Sequence, residues 1–211
     1  MPLMQTGVAT SQPRLVVFAR APVPGHAKTR LIPALGAIGA AALAERMLVH
    51  ILAQAVKSRA GPVELCMSPV PGHPAWDCST LPGAALLTHQ GEGDLGERMA
   101  RAVRRVTAVH GQPVLLMGSD CPGLTAGILQ ESARQLDAHD AVLLPAADGG
   151  YVLIGLKSSC PALFDRMAWS TSSVALETLD RLAGLGMTVW LGPLLHDIDE
   201  AADLAHLPPD F

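Results

Sequence analysis

At 211 residues, 49% hydrophobic and 16% charged, the chain is long enough for one large core, short for two domains, and too apolar to be a disordered polypeptide. Lys plus Arg total 15 against 19 Asp plus Glu, a formal net charge of −4. That excludes the broad basic face of a general nucleic-acid binder but leaves room for a local basic pocket.

Residues 1–13 read as a loose tail and residues 14–211 as a single domain. No signal peptide is visible in the tail, and Cys66, Cys78, Cys121 and Cys160 form neither a CxxC pair nor a disulfide framework. They read as reduced thiols, and the expected compartment is the cytoplasm. Residues 15–18 form a short continuous apolar run, the pattern of a strand buried on both faces. A loop with two prolines and a glycine follows over residues 21–28. A helix is predicted over 36–58, with Leu43, Met47, Ile51, Leu52 and Val56 as its inward stripe. Glu45, Arg46, His50 and Gln54 interrupt this most apolar stretch, so it reads as a core helix and not a membrane span.

Strands are predicted at 63–67 and 84–88. A helix over 94–110 follows, opened by the capping-box pair Asp94 and Glu97, with Leu95, Met99, Val103 and Val106 inward and Arg98, Arg101 and Arg105 toward solvent. A buried strand at 114–117, a helix at 125–138 and strands at 141–144 and 151–156 come next. A helix at 172–185 ended by Gly186, a strand at 188–191 and a short terminal helix at 200–206 complete the chain. Strands alternating with helices imply a mostly parallel sheet covered on both faces.

Ligands of such sheets bind beyond the carboxyl ends of the strands. After the first strand, Pro22 to Leu31 combine Gly25 with Lys28 and Arg30, a setting suited to phosphate oxygens or, equally, to a stiff turn with solvated cations. After the fourth, Asp120 in Gly118-Ser119-Asp120-Cys121-Pro122 is a candidate Mg²⁺ or Mn²⁺ ligand or an Asx-turn residue. Asp148-Gly149-Gly150-Tyr151 reads as a hairpin turn that also permits close approach of a ligand. Asp199 is a second metal carboxylate or a helix N-cap.

Six blocks occur in family order: FARAPVPGHAKTRL (18–31), GDLGERM (93–99), GSDCPGL (118–124), PAADGGYVLIGL (145–156), WSTSSV (169–174) and DIDEAADL (197–204). Together they resemble the phospholactate-guanylyltransferase-like glycosyltransferases of the GT-A, nucleotide-diphospho-sugar transferase superfamily. The resemblance implies an α/β, three-layer GT-A sandwich with a mixed, mainly parallel sheet and a Mg²⁺- or Mn²⁺-dependent nucleotide site. It implies metal ligation by Asp120 and Asp199, and phosphate contacts from Lys28 and Arg30. The candidate nucleotide set is Ala19, Arg20, Gly25, Lys28, Arg30, Arg98 and Ser119. Asp120 and Asp148 are the catalytic candidates, and Gly149, Gly150 and Tyr151 lie on the acceptor side. The expected partners are a nucleotide-sugar or NTP and a small-molecule acceptor. Glycosyl transfer is the favoured activity, with nucleotidyl transfer and a non-catalytic nucleotide-binding module as the alternatives. No GxGxR loop is present, and Asp120, preceded by Gly118-Ser119, is not part of a DxD motif.

Overall fold

The computed structural model describes residues 12–77, 81, 83, 85–209 and 211. Nearly all of the expected tail, together with Cys78 and Ala84, lies outside them. Seven strands form one sheet: β1 (Arg14–Arg20), β2 (Val63–Ser68), β3 (Leu86–His89), β4 (Val114–Met117), β5 (Ala141–Pro145), β6 (Tyr151–Leu156) and β7 (Val189–Leu191). Their spatial order is β3-β2-β1-β4-β6-β5-β7. Only β6 runs against its neighbours, so the sheet is mixed and mainly parallel as expected. The exception has a local cause. Only five residues, 146–150, join β5 to β6, too few for the crossover that a parallel pair requires.

Alternation along the central strands sorts the core into two clusters. Leu15 and Val17 of β1 pack with Leu65 of β2 under Leu48, Ile51, Leu52 and Ala55 of α1 (Ile32–Ser58) and Leu129 and Leu136 of α3 (Ala126–Ala138). Val16 and Cys66 face the other way, toward Met99 and Val103 of α2 (Leu95–Arg104) and Ala175 and Leu182 of α4 (Val174–Gly184). This is the expected three-layer arrangement, with the central strands buried on both sides and the edge strands β3 and β7 partly exposed.

Several boundaries and faces differ from the sequence reading. The first long helix begins at Ile32, and Gly36 interrupts it with φ 71° and ψ 165°. Its buried stripe is rotated: Val56 is 37% exposed, while Ala40, Leu48 and Ala55 are buried. By length and mean hydropathy this helix passes the test for a membrane span, despite its charged residues. Its buried face, however, is packed on β1 and β2. The capping box forms as predicted, with Glu97 N donating to Asp94 Oδ1 at 2.8 Å and Asp94 N to Glu97 Oε2 at 2.9 Å. α2 then gives way at Arg104 to a π turn over Arg105–Val109. Leu95, expected inside, is 44% exposed. Arg105, expected in solvent, reaches the fully buried Glu64 of β2.

The hairpin at 146–150 is held by Gly149 N to Ala146 O and by Gly150 N to Asp148 Oδ1 at 2.8 Å. Gly149 has φ +90°, and a Cβ there would lie 2.1 Å from Ser172 O, on the approach to α4. Only glycine fits both the conformation and the contact. Gly149→Ala is expected to cost about 3 kcal/mol in a urea melt. A loss below ~0.5 kcal/mol, ordinary for a surface change, would show that the contact is easily relaxed.

Candidate active site

The chain leaves β1 toward β2 on one side and leaves β4 toward β5 on the other, which opens a crevice beyond the carboxyl ends of the adjacent strands β1 and β4. Two side chains enter it from these strand ends. Lys28, with φ 45°, ends the loop after β1 and precedes a short 3-10 turn at Thr29–Leu31. Asp120 follows β4 after Gly118-Ser119. Their contact is direct, with Lys28 Nζ 2.8 Å from Asp120 Oδ2.

Asp199 arrives from the C-terminal segment. Ile198 N donates to Asp120 O at 2.9 Å, tying the two backbones together. Lys28 Nζ also reaches Asp199 Oδ1 at 3.3 Å, and Arg30 Nη1 reaches Asp199 Oδ2 at 2.8 Å. The N-cap of the 3-10 helix at Ala201–His206 is Glu200, so Asp199 is not the cap. Asp199 is instead committed to the two cations. Burial disfavours the Lys28 charge, but Asp120 and Asp199 outweigh it and raise the ammonium pKa above its ordinary value.

Two cavities share Asp120 and Asp199 of this cluster as a wall. The outer lobe, about 650 Å³, is lined by Ala19, Arg20, Lys28, Arg30, Arg98 and Ser119, and also by Gln90. Six of the seven candidate nucleotide residues therefore converge; Gly25 is outside the lining and serves the turn, at φ +81°. Arg98 also stiffens the opposite rim, its Nε donating to Gly93 O at 2.7 Å. The inner lobe, about 330 Å³, contains Asp120, Asp148, Gly150, Tyr151 and Asp199. Gly149 does not line it; its carbonyl accepts from Ala175 N.

Sequence reasoning passed over three contributors. Asp197 lines the inner lobe, and burial followed by the charges of Asp148 and Asp120 pushes its carboxyl up to about 6. Its spacing from Asp199 was the available signal, since alternate residues of an extended segment share a face. Trp169 borders the same lobe and meets Tyr151 edge-on, ring centroids 6.4 Å apart. Gln90 donates Nε2 to Ala19 O and Cys66 O at 3.0 and 3.1 Å, pinning the outer-lobe floor; nothing local in the sequence marks that role.

The donor chemistry fits a divalent cation. Asp120 and Asp199 bracket one positive group, and hard carboxylate oxygens suit Mg²⁺ or Mn²⁺, which take one or two carboxylates and leave further positions to phosphates and water. Among the described residues no cluster of three or more His, Cys, Asp or Glu side chains is arranged to hold a metal. A cation there would therefore draw its remaining ligands from substrate and water.

A seven-stranded mixed sheet in this order, with paired lobes at its carboxyl edge, is the nucleotide-diphospho-sugar transferase fold, and solved structures agree. A protein of Desulfovibrio desulfuricans G20, provisionally described as a nucleotide-diphospho-sugar transferase, is 31% identical, with a TM-score of 0.85 over 92% of this chain and 85% of its own. CMP:2-keto-3-deoxy-manno-octonic acid synthetase, solved with CTP, matches at 13% identity and TM-score 0.56 over 93% and 96% of the two chains. Rv0371C of Mycobacterium tuberculosis H37Rv, solved with manganese, matches at 17% identity and TM-score 0.50 over 93% and 98%. The latter two speak to fold alone. Residues 51–171 match the family model DUF2064, "Uncharacterized protein conserved in bacteria", and the chain belongs to that family. No curated protein matches it.

Proposed function

We propose that the protein is a metal-dependent glycosyltransferase with a nucleotide-diphospho-sugar donor. The observation that carries this reading is the pair of lobes meeting at Asp120 and Asp199, with Lys28 bridging the two carboxylates from the outer lobe. The cation-lined outer lobe suits a nucleoside diphosphate, and the aromatic and carboxylate-lined inner lobe suits the sugar. The bond to be broken then lies at their junction. The 31% identical relative and the resemblance of six sequence blocks to phospholactate-guanylyltransferase-like glycosyltransferases support the same class.

In this mechanism Asp120 and Asp199, paired with Lys28 in this structure, would hold a Mg²⁺ or Mn²⁺ ion. When bound, that ion supplies neutralising charge for the diphosphate leaving group. Lys28 and Arg30 turn from the carboxylates to the phosphate oxygens, and Arg20 and Arg98 close the outer rim. Asp148 accepts the proton of the acceptor hydroxyl as the bond from its oxygen to the sugar carbon forms and the bond to the diphosphate breaks. Ser119 and Ala19 line the nucleotide side, and Gly150 and Tyr151, expected on the acceptor side, line the inner lobe where the transferred sugar meets the acceptor.

Incubation with Mn²⁺ and a panel of nucleotide-sugars and NTPs tests the assignment. Release of nucleoside diphosphate is the expected result. Pyrophosphate release from an NTP would establish the nucleotidyltransferase alternative, and binding without turnover the non-catalytic one. Lys28→Ala and Arg30→Ala are each expected to weaken nucleoside-diphosphate binding by about 1.5–3 kcal/mol, the range for a charge-assisted hydrogen bond. Calorimetric affinities equal to the unaltered protein's for both variants would remove these cations from the phosphate site.

A further inference from the structure

The walls of the inner lobe differ in charge from those of the outer. Asp120, Asp148, Asp197 and Asp199 line it, and none of its lining residues is Lys, Arg or His. The Lys and Arg side chains of residues 20, 28, 30 and 98 line the outer lobe, and Arg30 with His196 also borders a third cavity, of about 270 Å³, on the far side of Asp148, Asp197 and Asp199. With Asp120 and Asp199 engaged by a cation at the junction, Asp148 and Asp197 still face whatever enters.

A second observation points to a ligand. Among the described residues, the Tyr151 hydroxyl is the one buried side-chain polar atom with no hydrogen-bond partner. Tyr151 lines this lobe, and Trp169 packs edge-on against its ring. A buried hydroxyl without a partner is costly, and native proteins keep few of them. Carboxylates accept hydrogen bonds only, so their partner must bring donors. A phenol can donate or accept, and an aromatic ring covers the apolar face of a sugar well.

We propose that the inner lobe selects an uncharged, hydroxyl-bearing group, a sugar or polyol, that donates to Asp148 and Asp197, completes the Tyr151 hydroxyl, and is discriminated from phosphorylated or carboxylated analogues by charge. The inference rests on the reading of the outer lobe as a nucleoside-diphosphate site. A like charge set against buried or half-buried carboxylates is rejected more strongly than a missing contact weakens binding.

The test begins with calorimetry of the full chain in Mn²⁺ with UDP, GDP, CDP and ADP, to find the diphosphate held most tightly. If none binds, the outer-lobe reading fails and takes the proposal with it. The glucosyl and glucuronosyl esters of the chosen diphosphate are then compared; they differ only by a carboxylate at the sugar C6. The uncharged ester is expected to bind at least about tenfold more tightly than the acidic one, and Asp148→Asn to narrow that gap. Tyr151→Phe is expected to weaken the glucosyl ester severalfold, leave the bare diphosphate unchanged, and hold or raise the melting temperature of the free protein. Normal diphosphate binding with equal affinity for the two esters, or a preference for the acidic one, overturns the inner-lobe proposal alone. A gap unmoved by Asp148→Asn overturns it too, as does a Tyr151→Phe variant that binds the glucosyl ester normally.

Discussion

Asp120→Ala is expected to abolish Mn²⁺-dependent nucleoside-diphosphate binding while leaving the fold intact. The carboxylate is partly exposed, 38% at the side chain, and its loss opens no cavity in the core. It does remove the closest partner of Lys28, and it leaves Asp199 as the sole member of the proposed metal pair. A single carboxylate holds Mg²⁺ or Mn²⁺ poorly, because the ion then keeps most of its water. Titration of the diphosphate with and without Mn²⁺ should show a metal-dependent increment in the unaltered protein and none in the variant. Persistence of that increment would move the metal elsewhere. The fold itself is expected to stay put, because Ile198 N binds the backbone carbonyl of residue 120 and not its side chain.

The second large effect lies away from the cleft. Glu64 is fully buried in β2, and its carboxylate accepts from Arg105, from Thr88 Oγ1 at 2.7 Å and from Arg14 Nη1 at 3.4 Å. Arg105→Ala would strand a buried charge, which costs about 3–5 kcal/mol when no partner remains. Because Arg14 and Thr88 stay in place, a loss of about 3 kcal/mol, at the lower end of that range, is expected in a urea melt near neutral pH. Burial alone would raise the Glu64 pKa. The hydrogen bonds from Arg105 and Thr88, with the charges of Arg105 and Arg14, outweigh it and hold the carboxyl below its ordinary 4.5. A depressed carboxyl contributes stability above its unfolded value and loses it as the pH falls through the folded one. The difference between the unaltered protein and Arg105→Ala should therefore narrow on acidification below the ordinary carboxylate range. A difference independent of pH would assign the loss to packing of the arginine stem.

Both effects show what the sequence exposes and what it hides. The strand cores at Leu15–Val17 and Val114–Met117 were legible because a buried parallel strand is a continuous apolar run. The capping box at Asp94 was legible because it is built from residues three apart. The stripe of α1 was only half legible: Gly36 shifts the start of the regular helix, and small residues such as Ala40 and Ala55 bury without a strong apolar signal. Arg105 was misread because the reach of its long side chain from the end of α2 to Glu64, 41 positions away in the chain, is a tertiary contact that helical spacing does not reveal. At the cleft, Asp120 and Lys28 were recognisable from their places after strands. The commitment of Asp199 to two cations instead of a helix cap was a tertiary fact, as was the division of charge between the lobes.

The bond from Ile198 N to Asp120 O sets when the protein becomes competent. Asp120 is placed by the sheet, just beyond the end of β4, but its companion carboxylate is delivered only when the segment around residue 198 docks. Local opening of that segment would therefore part the two carboxylates while the sheet stays folded.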